Sequence, residues 1–333
     1  MEMKKLLMLT TGGTIASTPT AEGFAPSGSG EILSHLGLAP MDFTLETKEI
    51  LTLDSSNIQP EEWKVIASAI FEGFDGYDGI VVTHGTDTMA YTASMVSFMI
   101  KNPPVPVVFT GSQVPISMPL TDGVFNLVSA FTMAMSGKPG IFVAFDRKII
   151  LGCRAVKVRT TGFSAFESVN YPPVGFINSS GLNIHDEYLI KYDGAPELDT
   201  DIDTSVFLLK LTPGTNPQIV DMLIDSGIRG IVIEGFGAGG LQFIRRDYTA
   251  KLARAAKEGV AVVVCSQCLY ERSDFSVYQV GQKALDTGVI QGYDMTSEAA
   301  VTKLMWALGN CKGIEGVKEL FGRNIAGEVE ISL

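Results

Sequence analysis

Hydroxyl, carboxylate and amine side chains gather in four short clusters, each directly after an apolar run: Thr10 to Thr14, Asp54-Ser55-Ser56, His84-Gly85-Thr86-Asp87-Thr88 and Gly111-Ser112-Gln113. A threonine hydroxyl is a poor nucleophile until a base takes its proton. Thr14 and Thr86 each offer such a hydroxyl beside a glycine. Lys157 is a candidate base if burial leaves its amine uncharged, although most lysines are solvated and the same residue also reads as an ordinary surface lysine. Asp87 can orient that lysine or hold a ligand ammonium group. Gly12-Gly13 permits a tight turn that exposes the Thr14 hydroxyl. At Gly12-Gly13 the full GxGxxG pattern is absent, because the run is Gly12-Gly13-Thr14-Ile15-Ala16-Ser17, and no GxxxxGKS/T segment occurs in the chain, which argues against a phosphate-cradling loop there.

The clusters need elements that bring them together. Lys5 to Thr10, Thr44 to Leu51, Gly79 to Thr83, Val105 to Thr110 and Gly140 to Phe145 read as strands. Ile32 to Leu36, Glu61 to Phe71, Thr88 to Met99 and Val124 to Met135 read as helices between them. Short apolar strands alternating with helices indicate a parallel sheet covered on both faces. In such a sheet the loops beyond the strands' C-terminal ends form the crevice, and all four clusters fall there. Pro60 with Glu61 and Glu62 marks one helix start, and Asp87 is placed to cap the helix opening at Thr88. From about Asn178 to Thr204 acidic residues crowd a stretch with little apolar periodicity, as expected of an exposed connection. Strand-like Val206 to Leu211, Gly230 to Glu234 and Val260 to Cys265 then alternate with helix-like Gln218 to Ile224, Asp247 to Lys257 and Glu298 to Leu308. The expected fold class is α/β: a larger N-terminal catalytic domain (1–180) with a mostly parallel sheet between helices, a linker (181–205), and a smaller C-terminal α/β domain (206–333).

The 333-residue chain, 46% hydrophobic, is long enough for two ordinary cores. Its net charge of -12 would repel nucleic acid phosphates and anionic membrane surfaces. The Cys265–Cys268 pair ends an apolar run and reads as buried thiols at a strand end in a reducing compartment. With His35, His84 and His185 as the three histidines, no metal-ligand cluster is recognisable. No stretch approaches a membrane span, and the N-terminal apolar run has no cleavage signal, so an intracellular protein is expected.

Thr11-Gly12-Gly13-Thr14-Ile15-Ala16 together with Asp78-Gly79-Ile80-Val81-Val82-Thr83-His84-Gly85-Thr86-Asp87-Thr88-Met89 resembles the bacterial-type L-asparaginases, a group that includes type I and type II enzymes and a related archaeal amidotransferase subunit. Asp122-Gly123-Val124-Phe125-Asn126-Leu127 adds support, and Gly162-Phe163-Ser164-Ala165-Phe166-Glu167-Ser168 is similar to the type I, usually cytoplasmic, branch. The resemblance implies hydrolysis of L-asparagine to L-aspartate and ammonia, with no cofactor. It matches Thr14 to the nucleophile, Thr86 to the second essential threonine, and Asp87 and Lys157 to its partners. It also matches Ser55, following Asp54, to the contact with the substrate α-carboxylate, and implies that Thr86 and Asp87 meet the substrate, Asp87 through its α-amino group. A homodimer or homotetramer is implied, with a neighbouring subunit often completing the site.

One position departs from the family pattern. A tyrosine is usual on the loop about ten residues beyond the nucleophile, and this chain has Phe24, which can exclude water but not relay a proton. Either the loop is offset, or Tyr270 or Tyr278 supplies a substitute hydroxyl, or the chemistry is altered. Two other functions compete: an amidotransferase subunit that hands ammonia to a partner, disfavoured by the acidic charge and by the absence of a substantial segment before Thr11, and a non-catalytic asparagine or aspartate sensor.

Overall fold

The computed structural model describes residues 3–20, 23–26, 43–276 and 285–331, and the chain divides into two compact units, Met1–Thr200 and Asp201–Leu333. The expected helix Ile32 to Leu36 lies outside the described residues.

In the first unit five strands run parallel: β1 (Lys4–Gly12), β4 (Phe43–Leu53), β5 (Gly79–Thr83), β7 (Pro106–Thr110) and β8 (Gly140–Phe145). β5, β7 and β8 are buried at every residue, as both faces of a covered parallel sheet require. The short strands β2 (Ser17–Thr20) and β3 (Gly23–Pro26) pair with each other outside this sheet. The sheet order places β1 between β4 and β5, with β7 and β8 beyond. The chain leaves β1 toward β4 and leaves β5 toward β7, in opposite directions along the sheet. That reversal opens a crevice between the C-terminal ends of β1 and β5.

Helix α1 (Pro60–Glu72) starts with proline at its first turn and Glu61 and Glu62 behind it. The Glu62 carboxylate accepts from Gln59 N–H at 2.8 Å, which satisfies a donor the helix cannot. Helix α2 (Met89–Met99) is buried along nearly its whole surface, as its apolar and small residues, with no charge on any side, allow. Its N-cap is Thr88, with no side-chain cap bond. The expected capping role of Asp87 is therefore corrected: its carboxylate turns to Lys157 instead, an ion pair outweighing a cap.

Beyond β8 the sheet continues antiparallel through β9 (Lys148–Leu151), β12 (Gly175–Asn178) and β13 (Gly181–Ile184). Between these, β10 (Ala155–Lys157) and β11 (Phe166–Ser168) form a separate hairpin with Lys157 opposite Phe166. Within the acidic stretch, β14 (Glu197–Leu198) pairs with β6 (Ile100–Lys101).

The second unit is a four-stranded parallel sheet: Val206–Lys210, Gly230–Gly235, Ala261–Ser266 and Ile290–Gln291. The helices Gln218–Asp225, Thr249–Lys257, Ser297–Asn310 and Gly313–Phe321 accompany it. Cys265 is buried but Cys268 is exposed, which corrects the reading of both as buried thiols; Cys268 lies beyond the strand, where the chain has left the core.

Candidate active site

The crevice brings two loops into backbone contact. After Thr10 and Thr83, which stand opposite each other in the β1–β5 ladder, the chain enters Thr11–Thr14 and His84–Thr88. Gly13 has φ 79°, and a side chain there would place its Cβ 2.4 Å from Gly85 N. A Cβ on Gly85 would lie 2.6 Å from the Ser55 side chain. Only glycine permits both approaches, so the residues that follow, Thr14 and Thr86, flank one point. The third loop is tied in by Gly13 N–H donating to Leu53 O at 2.9 Å.

Thr14 opens a single 3₁₀ turn and is half-buried. Its hydroxyl has no hydrogen-bond partner among the described residues. Ser55 is buried, accepts from Asp87 N–H through Oγ at 3.2 Å, and receives the Thr88 hydroxyl on its carbonyl at 2.7 Å. Asp54 is exposed and caps its own turn, with Oδ1 accepting from Ser56 N–H at 2.8 Å.

Thr86 is buried and its hydroxyl has two polar partners. Lys157 Nζ donates to Thr86 Oγ1 at 2.7 Å and to Asp87 Oδ1 at 2.6 Å. The lysine head is 17% exposed while the carboxylate is 61% exposed: the amine faces the protein, and the acid faces solvent where a ligand would arrive. Thr86 in turn donates to Gln113 Oε1 at 3.2 Å.

Behind the site lies a relay of neutral groups. His84 is fully buried; desolvation pulls its imidazole down to about 4, opposed by the hydrogen bond to the Gly85 carbonyl. That carbonyl, 2.7 Å from Nδ1, can only accept, so Nδ1 carries the proton and Nε2 accepts from the Thr92 hydroxyl at 2.9 Å. Trp63 Nε1–H donates to the same hydroxyl oxygen at 3.1 Å. A fixed tautomer thus anchors the peptide joining Gly85 to Thr86.

The structure therefore brings Thr14, Ser55, Thr86, Asp87 and Lys157 to one crevice, with Asp54 at its margin. Phe24 lies in β3. Tyr270 is exposed in the second unit, and Tyr278 lies outside the described residues. Gln113 and His84 were grouped with the clusters by sequence but given no role. A polar residue directly after a buried strand was the available signal for Gln113, whereas nothing local in the chain links Trp63 to Thr92. No group of three or more His, Cys, Asp or Glu among the described residues could hold a metal ion, and no helix among them is long and apolar enough to cross a membrane.

Comparison with known proteins matches residues 5–189 to the asparaginase N-terminal family and residues 205–321 to the glutaminase/asparaginase C-terminal domain. An L-asparaginase from Thermococcus kodakarensis is 46% identical over 332 residues, covering 98% of this chain and 99% of that protein. The solved thermostable L-asparaginase from that organism superposes with a TM-score of 0.94 over 98% of this chain and 100% of its own. L-asparaginase I from Vibrio cholerae, 30% identical, gives a TM-score of 0.87 over 98% of this chain and 99% of its own. A glutamyl-tRNA(Gln) amidotransferase subunit from Metallosphaera sedula is 39% identical over 97% of this chain and 76% of its own length.

Proposed function

This chain belongs to the asparaginase family, and from that premise we propose that it hydrolyses the side-chain amide of L-asparagine to L-aspartate and ammonia with Thr14 as nucleophile. The observation that carries the reading is the Lys157 amine held between Thr86 Oγ1 and Asp87 Oδ1, next to the loop that presents Thr14.

The exposed Asp87 carboxylate takes the substrate α-ammonium, and Ser55, beside Asp54, takes the α-carboxylate. This leaves the side-chain amide over Thr14. Attack by Thr14 Oγ on the amide carbon forms a tetrahedral intermediate whose oxyanion is held by nearby backbone N–H groups of the two strand-end loops. Collapse breaks the C–N bond, the proton given up by Thr14 leaves on ammonia, and an acyl-enzyme remains. Water, activated through the Thr86–Lys157 pair, then attacks the ester, and collapse returns a proton to Thr14 Oγ as aspartate departs. A substrate ammonium on Asp87 replaces Lys157 as that carboxylate's counter-ion, which leaves the amine to its contact with Thr86. Phe24 brings no hydroxyl to this proton traffic.

We further propose a type I, cytoplasmic enzyme that works without a cofactor as a homodimer or homotetramer, with residues 1–180 as its catalytic domain; the similarity to L-asparaginase I supports the type. Mass photometry of the purified protein tests the assembly. The likeness to amidotransferase subunits favours a second reading, in which ammonia is delivered to a partner for RNA-linked amidation; the net charge of -12 weighs against direct RNA contact. One experiment separates these readings and the sensor. The purified chain alone, mixed with asparagine, releases ammonia, whereas Thr14→Val and Thr86→Val do not. No ammonia from the wild type, or near-normal turnover in both variants, overturns the proposal. Glutamine, D-asparagine and a β-aspartyl peptide assayed alongside define the range.

A further inference from the structure

We infer that Gln113 is a positioning residue, a latch that fixes the Thr86 hydroxyl and, through the tip of the β10–β11 hairpin, the Lys157 amine that Thr86 meets. This deepens the reading of the site as an asparaginase centre and rests on it for its kinetic part.

The amide of Gln113 spans three partners. Its Nε2 donates to Thr160 O at 3.0 Å and to Gly162 O at 3.2 Å, and its Oε1 accepts from Thr86 Oγ1 at 3.2 Å. Backbone carbonyls can only accept, so the NH₂ end must face the hairpin tip and the oxygen must face Thr86. The orientation of the amide is thereby decided by its partners. So is the direction of the Thr86 proton: Lys157 already donates to that oxygen, and the hydroxyl hydrogen is left for Gln113.

Gln113 is itself held rigidly. Its backbone N–H donates to both carboxylate oxygens of Asp122 at 3.0 Å, and Val114 N–H donates to Asp122 Oδ1 at 3.1 Å. Asn126, on the helix Gly123–Ala134, bridges Asp122, the Gly111 carbonyl and Asp146 N–H. A side chain on so braced a backbone positions whatever it binds.

The tip it binds has little else to fix it. Thr160, Thr161 and Phe163 are exposed; among the described residues the tip's other ties are the hydrogen bond from Ser164 to Asp146 and the half-exposed Arg159, which pairs with Glu167 and through it with Lys148. Lys157 ends the strand leading into this tip, with Val158 N–H closing on Ala165 O at 2.8 Å. A tip free to lift would carry the lysine end of the hairpin with it. One amide thus holds donor and acceptor of the Lys157–Thr86 contact from both sides.

Two variants of the full chain test the latch by turnover and by trypsin. Gln113→Met keeps the length but neither accepts from Thr86 nor holds the tip. Gln113→Glu keeps an acceptor toward Thr86 but sets an oxygen against the two carbonyls. The latch predicts that Gln113→Met lowers kcat for asparagine by roughly 10- to 100-fold with KM changed by less than about three-fold, because positioning and not binding is lost. It also predicts cleavage after Arg159, in the tip, faster by about tenfold or more in both variants, with Gln113→Glu intermediate in kcat. Wild-type kcat or wild-type cleavage in Gln113→Met overturns the inference. If that variant does not fold, wild-type cleavage in Gln113→Glu does so. A wild-type chain that releases no ammonia from asparagine defeats the asparaginase reading separately, and the tryptic comparison still decides whether the tip is latched.

Discussion

A threonine hydroxyl has one proton to give and two lone pairs to receive with, and Thr86 has committed its proton to Gln113 and one lone pair to Lys157. Changing Lys157 to Met removes the amine while keeping its stem. We expect kcat to fall by about 10²- to 10⁴-fold, the usual range for a lost general base, with KM much less affected in steady-state ammonia assays. Asp87→Asn should act the other way, raising KM for asparagine more than it lowers kcat, because the exposed carboxylate is the part that meets the ligand ammonium. His84 makes a prediction about pH. Its imidazole is held down to about 4 by burial, so as pH falls through the ordinary 6.5 the unfolded chain takes a proton that the folded chain refuses. The stability this neutral histidine supports is fully present above about 6.5 and is lost progressively toward pH 4, by roughly 3 kcal/mol in full. Urea denaturation at pH 7, 6 and 5 should show that slope, and His84→Asn, which keeps a donor for the Gly85 carbonyl but cannot titrate, should flatten it.

At the scale of elements, the site depends on two strand-end loops touching through glycine. Gly13→Ala would force a Cβ to 2.4 Å from Gly85 N at a φ of 79°. Backbone atoms cannot yield as a flexible side chain can, so the loops must part. The expected result is a stability loss of about 1–3 kcal/mol together with a kcat loss of about 10²-fold, read by denaturation and turnover of the same preparation. The parallel core of the first unit was legible because β5, β7 and β8 are unbroken apolar runs separated by segments of helical length and composition. The helix starting at Pro60 was legible from its proline and two glutamates. The antiparallel extension was not: β9, β12 and β13 are four residues each, too short for a period, and their pairing is long-range. For the same reason the sequence offered Lys157 and Thr86 as candidates for one site but not their meeting across a hairpin, which depends on the ladder between Ala155–Lys157 and Phe166–Ser168. Asp87 shows the converse failure. Its local setting says helix cap, and a lysine 70 positions away overrules it.

At the scale of the molecule, each unit carries its own core and its own buried polar commitment. In the second unit Lys303 and Glu328 form an ion pair at 2.5 Å with both side chains 0% exposed, and Glu328 also accepts from the backbone N–H groups of Ile325 and Ala326. Lys303→Met leaves that carboxylate uncompensated and should destabilise the chain by roughly 3–5 kcal/mol, whereas adding Glu328→Gln should recover a good part of the loss; chemical denaturation of the single and double variants measures both. The first unit's commitment is the relay from Trp63 through Thr92 and His84 to the Gly85 carbonyl. The chain has two tryptophans, and the other, Trp306, belongs to the second unit. With Trp306 replaced by Phe, all indole emission comes from a ring wired by three hydrogen bonds to the peptide beside Thr86. The enzyme then carries its own optical gauge: a ligand that tugs that peptide changes the colour and intensity of Trp63 fluorescence, so occupancy of the crevice can be followed in stopped flow with no added dye.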